Sequence, residues 1–250
     1  MILVLTYHKV VRGPEEHPEF YSIRAEQLER HIELLHEKNF RILPPGGLLN
    51  REAQSGSSCV LTFDDGTLDH FEVVKPVLER LSCRGLFFVP TARLDQAGKL
   101  SSDQVRELGA SGHTIGSHSH EHARLDRLPE EDIRVQLEVS QQKVAQLIGT
   151  PALFFAPPGG FYNPLIRNIA LETGFSVIRT MRWGYNRHLD LAELECVPIN
   201  RFLTESDFCR LLSGRNMQLA YQAKQMTKRL VPDRVYGQLR SVVFGLTGRN

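Results

Sequence analysis

The stretch Cys59-Val-Leu-Thr-Phe-Asp-Asp-Gly66, followed by a helix-patterned run over 70–81 and then by Gly85-Leu-Phe-Phe-Val89, decides the fold. The two apolar runs are short and rich in β-branched and aromatic residues, so they read as buried strands. A helix between them is what two parallel neighbours require, because a parallel pair needs a long crossover and not a hairpin. The alternation continues on both sides. A strand opens the chain at Ile2, and further helices are expected over 102–110, 130–147 and 163–173, with strands over 113–117, 152–156 and 175–179. No Pro/Gly-rich linker or internal repeat divides this pattern. The expectation is one barrel-like α/β domain whose chemistry collects where strands end and loops begin.

Composition narrows the function. The 250 residues are 41% hydrophobic and 24% charged, enough for a large core and incompatible with wholesale disorder. Thirty Lys+Arg against 29 Asp+Glu leave a net charge of +1, which argues against a nucleic-acid partner bound by phosphate neutralisation. No run of about 18 apolar residues is present to span a bilayer as a helix. Cys59, Cys83, Cys196 and Cys209 form no CxxC pair, so neither a zinc knuckle nor a thioredoxin-type motif is expected. The opening Met1-Ile-Leu-Val-Leu-Thr-Tyr-His8 has no basic leader and no small-residue cleavage site. It reads as a buried strand that delivers Tyr7 and His8 to its end, and a cytoplasmic chain with reduced thiols is the expectation.

The last segment, 215–250, carries seven basic residues and one acid, a net of +6 in a chain of net +1. Leu219, Ala223, Met226 and Leu230 recur there at helical spacing until Pro232 interrupts. Residues 1–214 are therefore taken as the main domain and 215–250 as a basic amphipathic helical extension. That helix either closes the core or offers a basic surface, peripheral to a membrane, to anionic lipid or a lipid-linked phosphate.

Each polar cluster follows an expected strand. Asp64 and Asp65 come after Val60-Leu61, and two adjacent carboxylates at a strand end cannot both be buried and charged without a cation or a raised pKa. A helix cap plus a turn acid is the plainer alternative. Ser117-His-Ser-His-Glu-His122 places three imidazoles in five residues after Ile115-Gly116. His118 and His122, with Asp65 as the oxygen ligand, make a three-ligand set of the kind catalytic zinc uses, with the fourth position left for water. His120 points elsewhere and reads as a surface histidine. Ala156-Pro-Pro-Gly-Gly160 pairs stiff prolines (Pro158 among them) with glycines that let backbone approach a ligand, and an N–H near Gly159 is placed to meet an oxyanion. Trp183, the only tryptophan, either stacks on a sugar face or belongs to the core.

These motifs together resemble the polysaccharide deacetylases, the NodB-homology domains of carbohydrate esterase family four. The resemblance runs from about residue 2 to residue 212 and rests on TFDDG (62–66), GHTIGSHSHEHARL (112–125) and FAPPGGFYN (155–163). It implies a distorted (β/α) barrel that removes acetyl groups from N-acetylated saccharides with a divalent metal, zinc foremost. It also implies Asp64 as the catalytic base, Asp65, His118 and His122 as metal ligands, and Gly159 as the oxyanion donor. Three departures stand out. Ala156 occupies the place of a common Arg that orients the base, Thr114 replaces a common Glu, and no Leu-x-His motif appears towards the C-terminus to supply the acid. The early Tyr7-His8 looks like the opening of the permuted branch, similar to the poly-N-acetylglucosamine deacetylases, which implies His8 as the acid, with His188 in reserve. O-deacetylation, or glycan binding without catalysis, are the alternative functions.

Overall fold

The computed structural model describes residues 1–16, 19–50 and 56–214. In chain order its first half runs β1 (Ile2–Tyr7), β2 (Lys9–Val11), β3 (Ser22–Arg24), α1 (Ala25–Glu37), β4 (Arg41–Ile42), β5 (Ser58–Phe63), α2 (Lys75–Arg80), β6 (Gly85–Val89) and α3 (Ser102–Ala110). The second half runs β7 (Thr114–Ser117), α4 (Glu130–Ile148), β8 (Phe154–Phe155), α5 (Pro164–Thr173), β9 (Val177–Trp183), β10 (Leu194–Pro198) and α6 (Glu205–Leu212). Strands β1, β10, β9, β8, β7, β6 and β5 pair in that order, all parallel, and β5 returns to β1, so seven strands close into a barrel. Strand β4 lies along the start of β5 as an outer edge, and β2 and β3 form a separate parallel pair.

The alternation of side chains along each strand divides the core in two. Ile2, Val4, Val60, Leu86, Phe88, Phe154, Ala156, Val177 and Cys196 fill the barrel interior as one cluster. Leu3, Leu5, Tyr7, Leu61, Phe63, Phe87 and Val89 belong to another, which includes Leu28, Ile32 and Leu35 of α1. Strands buried on both faces read as continuous apolar runs, which is why β1, β5 and β6 are buried at every position. Gly116 on β7 is needed inside: a Cβ there would stand 2.6 Å from the Phe88 ring. The interior parity runs just past three strand ends, through Thr6 to His8, Thr62 to Asp64 and Gly116 to His118, and within β9 through Val177 to Arg179. The fold therefore aims these four polar side chains towards the barrel axis at one end.

Helix boundaries follow local chemistry. Ser101 and Gln104 close a reciprocal capping box on α3, Asn163 caps α5 ahead of Pro164, and α4 starts on three acids and stops at Gly149 in the left-handed region. The helix expected over 70–81 begins as a π turn, His70–Val74. Pro76 has no N–H to return to the Glu72 carbonyl four residues back, and Arg12 Nη2 donates to that carbonyl at 2.7 Å instead.

The expected strand over 152–156 is only two residues long, because Pro151 and Pro157 bound it with residues that cannot donate to a ladder. Strand β9 continues to Trp183, through residues read as a loop, and α1, β10 and α6 are elements the strand–helix reading did not anticipate. Their segments lack the strand–helix alternation that exposed the rest. The helix expected in 215–250 lies outside the described residues.

Candidate active site

The C-terminal ends of β1, β5, β7 and β8 bring the polar clusters together. The ladders persist one residue past the strands: Asp64 N–H donates to the Tyr7 carbonyl, His118 N–H to that of Val89 and Ala156 N–H to that of Ser117. Side chains that leave the strands here are thus still anchored through their backbone N–H to a neighbouring strand.

His118 is buried, and its Nδ1 stands 2.7 Å from the Ala156 carbonyl oxygen. A carbonyl only accepts, so Nδ1 carries the proton and Nε2 presents its lone pair to the site. That Nε2 lies 3.5 Å from Asp65 Oδ1, and His122 Nε2 lies 2.9 Å from the same oxygen. One ligand atom from each of Asp65, His118 and His122 falls within 4.8 Å of the other two. The lone pair of His118 facing a carboxylate oxygen is an arrangement a shared cation resolves, so the donor set fits a divalent metal. Burial raises the Asp65 carboxyl pKa, but the imidazoles of His118 and His122 at its oxygen, with His8 nearby, more than offset this and hold the group well below the usual carboxylate range.

Asp65 and His122 reach this point through left-handed backbone, φ 76° and 64°, as does Ser119 at 61°. Non-glycine residues adopt this region at a cost of about 1–2 kcal/mol each, and such outliers gather where a site dictates the geometry. The turn is tied locally: Ser119 Oγ accepts from His122 N–H, Ser117 Oγ accepts from Ser119 N–H, and Ser117 Oγ is bonded to Ser140 of α4. The turn at Asp65 rotates its carboxylate away from the parity it would have in a straight strand. The i, i+4 spacing of His118 and His122 accordingly meets round a turn, not on a helix face.

Asp64 is buried and receives Arg179 Nη2 at 2.5 Å on both carboxylate oxygens. Arg179 is 1% exposed and projects from β9 into the barrel, with its guanidinium carbon 5.0 Å from the Phe88 ring centre. Burial lowers the guanidinium pKa, yet the Asp64 charge more than offsets it and the net shift is upward. The partner that Ala156 fails to provide is thus supplied by the neighbouring strand β9. The sequence pattern marked Arg179 only as a strand end; the signal was an arginine that shares the parity of the interior residues Val177 and Met181.

His8 Nε2 stands 3.9 Å from Asp64 Oδ2, and its ring stacks on Tyr21 with centroids 4.6 Å apart. Burial lowers the His8 pKa, Asp64 and Asp65 pull it up, and Arg179 and His118 push it down, for a net decrease. The Pro158–Gly160 turn sets Gly159 at its exposed crest with φ 62°. At Gly160, φ 73°, a Cβ would come 2.3 Å from that of Met181, so the loop lies against β9 only because no side chain intervenes.

Two expected residues sit elsewhere. Trp183 is 9% exposed within the core, edge-on to Tyr185 at 5.6 Å, so it is a packing residue and not a sugar platform. His188 is exposed in a surface cleft with Arg182, Asp190 and Glu193, away from Asp64. His120 faces away from the trio, its Nδ1 2.8 Å from Thr91 Oγ1.

Comparison with known proteins agrees with this fold. The family model for polysaccharide deacetylase matches residues 51–178. YxkH of Bacillus subtilis is 24% identical over 210 residues, covering 82% of this chain and 74% of YxkH. The peptidoglycan-N-acetylglucosamine deacetylase of Bacillus cereus is 28% identical over 134 residues, covering 51% of this chain and 48% of that protein. Among solved structures, IcaB from Ammonifex degensii superposes with a TM-score of 0.73 at 25% identity, over 85% of this chain and 95% of IcaB.

Proposed function

This chain belongs to the polysaccharide deacetylase family, and from that premise we propose that it hydrolyses the N-acetyl amide of an amino sugar in a glycan or glycoconjugate, releasing acetate. Asp65, His118 and His122 hold a divalent cation, zinc by the imidazole-rich donor set. When bound, such a cation acidifies water and polarises the acetyl carbonyl.

Asp64 accepts a proton from the attacking water, a general-base role worth on the order of 10² to 10⁴ in rate. Arg179 fixes the plane of the Asp64 carboxylate, so its oxygens do not have to reorganise when the proton arrives. As the acyl carbon becomes tetrahedral, the backbone N–H near Gly159 faces the developing oxyanion. His8 is the acid: it gives its proton to the departing sugar nitrogen, which otherwise leaves as a high-energy amide anion. This early histidine is the feature that supports a kinship with the permuted poly-N-acetylglucosamine branch.

The observation that carries the reading is a base carboxylate and a ring nitrogen 3.9 Å apart, beside a two-histidine, one-carboxylate trio, all at one end of one barrel. The amino-sugar substrate is supported by the activity for which the Bacillus cereus relative is named. The test is metal analysis of the purified chain coupled to acetate release from N-acetylated and O-acetylated oligosaccharides. Stoichiometric zinc with acetate from the amide is expected. Release from the ester alone, with the amide untouched, redirects the activity to O-deacetylation.

A further inference from the structure

After Tyr7 and Phe63, the last in-register pair of β1 and β5, the two strands part and His8 leaves the ladder. The segment that carries it is nonetheless gripped again. His70 Nε2 lies 2.7 Å from the His8 carbonyl oxygen, and Val10 N–H donates to Asp69 Oδ2 at 2.7 Å. Both side chains come from the segment that follows Asp64 and Asp65, where Asp69 precedes the π turn that His70 opens. The two peptides that join His8 to Val10 through Lys9 are therefore fastened to the chain segment that follows the base.

His70 is wholly buried, between the rings of Phe63 at 5.8 Å and Phe87 at 5.7 Å. Its bond to a carbonyl requires the proton on Nε2. Its Nδ1 then meets no hydrogen-bond partner among the described residues. A leucine of similar volume would fill this apolar cage without burying an unpaired nitrogen. The imidazole is useful there for one thing only, its bond to His8. Asp69 likewise uses a carboxylate to hold one backbone N–H.

We infer that Asp69 and His70 are positioning residues for His8, locking the two peptides that follow the acid so that its ring stays between Tyr21 and the Asp64 carboxylate. The inference rests on the reading of His8 as the proton donor. Its consequence is selective: the pair matters where the leaving group needs a proton and not where it departs unaided.

The experiment compares an N-acetylglucosamine oligomer with 4-nitrophenyl acetate, whose phenolate leaves without protonation, on the metal-loaded full chain. For His70→Leu and Asp69→Ala, kcat on the amide is expected to fall about 10- to 100-fold. The ester rate, KM and metal content are expected to stay within about twofold. His70→Gln retains a donor at the Nε2 position and Asp69→Asn retains an acceptor, so both should recover most of the amide rate. Equal losses on amide and ester, or loss of metal, overturn the positioning role. If His70→Leu does not fold, the Asp69 pair decides by the same split. A wild-type chain that loads metal and cleaves the ester yet releases no acetate from any N-acetyl sugar overturns the deacetylase reading itself.

Discussion

Arg179 and Asp64 lie 115 positions apart in the chain, yet one guanidinium nitrogen of the first reaches both oxygens of the second at 2.5 Å inside the barrel. The pair is almost fully desolvated, with side chains 1% and 3% exposed. A buried pair is weak evidence for stability in itself, but removing one partner strands the other charge. The arrangement is therefore kept for what it does to the carboxylate.

Replacing Arg179 tests this directly. Arg179→Met should cost about 3–5 kcal/mol in unfolding free energy, the usual penalty for an uncompensated buried charge, and should lower deacetylation with it. Arg179→Lys keeps the charge but not the rigid guanidinium, whose other terminal nitrogen also meets Met181 Sδ, so it should recover stability better than rate. Urea unfolding alongside acetate release separates the two.

Asp64→Asn removes the base while it keeps the shape. The amide rate should drop on the order of 10² to 10⁴, with zinc content unchanged by mass spectrometry. An active, metal-loaded Asp64→Asn enzyme assigns the proton transfer elsewhere.

Chelation should abolish turnover and added zinc should restore it. His122→Ala and Asp65→Ala each leave two of three ligands and should lose both metal and activity, whereas His120→Ala, whose ring bonds Thr91, should retain both.

Stability should fall as the solution is acidified below pH 6.5. Burial pushes the pKa of His31 down to about 4, against a small opposing pull from Glu205, and burial with Arg84 pushes His113 down to about 4. Between about 4 and the ordinary value of 6.5 the unfolded chain binds protons that these two rings refuse when folded. Stability therefore rises with pH across that window and is lost as pH falls through it, each ring contributing up to about 1.4 kcal/mol for every pH unit crossed. Urea titrations at several pH values should show a shallower slope for His31→Gln than for the wild type.

Gly160→Ala should destabilise the 158–160 turn. The new methyl would overlap Met181 and the backbone would remain in the left-handed region. A loss of about 1–3 kcal/mol is expected from overpacking, read as a lower melting temperature, with a slower amide rate as the turn withdraws from the site.

Much of this protein was legible from pattern. Its apolar runs, each too short for a helix and most separated by helical spacing, permit little besides a parallel sheet wrapped in helices, because parallel neighbours need crossovers. The Asp65, His118 and His122 trio was readable too, since residues just past strand ends of such a sheet share one face. What the reading missed were elements outside the run of alternation from β5 to β9: α1, despite its apolar stripe of Leu28, Ile32 and Leu35, and β10, which sits between β9 and β1.

Local sequence alone determined which residue types were on hand at each strand end, because strand and helix periods are written in the order of apolar and polar side chains. Tertiary structure alone decided their partners. The pairing of Asp64 with Arg179, the clasp of His70 on His8 and the withdrawal of Trp183 into the core all depend on how the closed barrel brings strands distant in the chain side by side. That arrangement is set by packing a common interior, a property of all the barrel strands at once and of no single stretch.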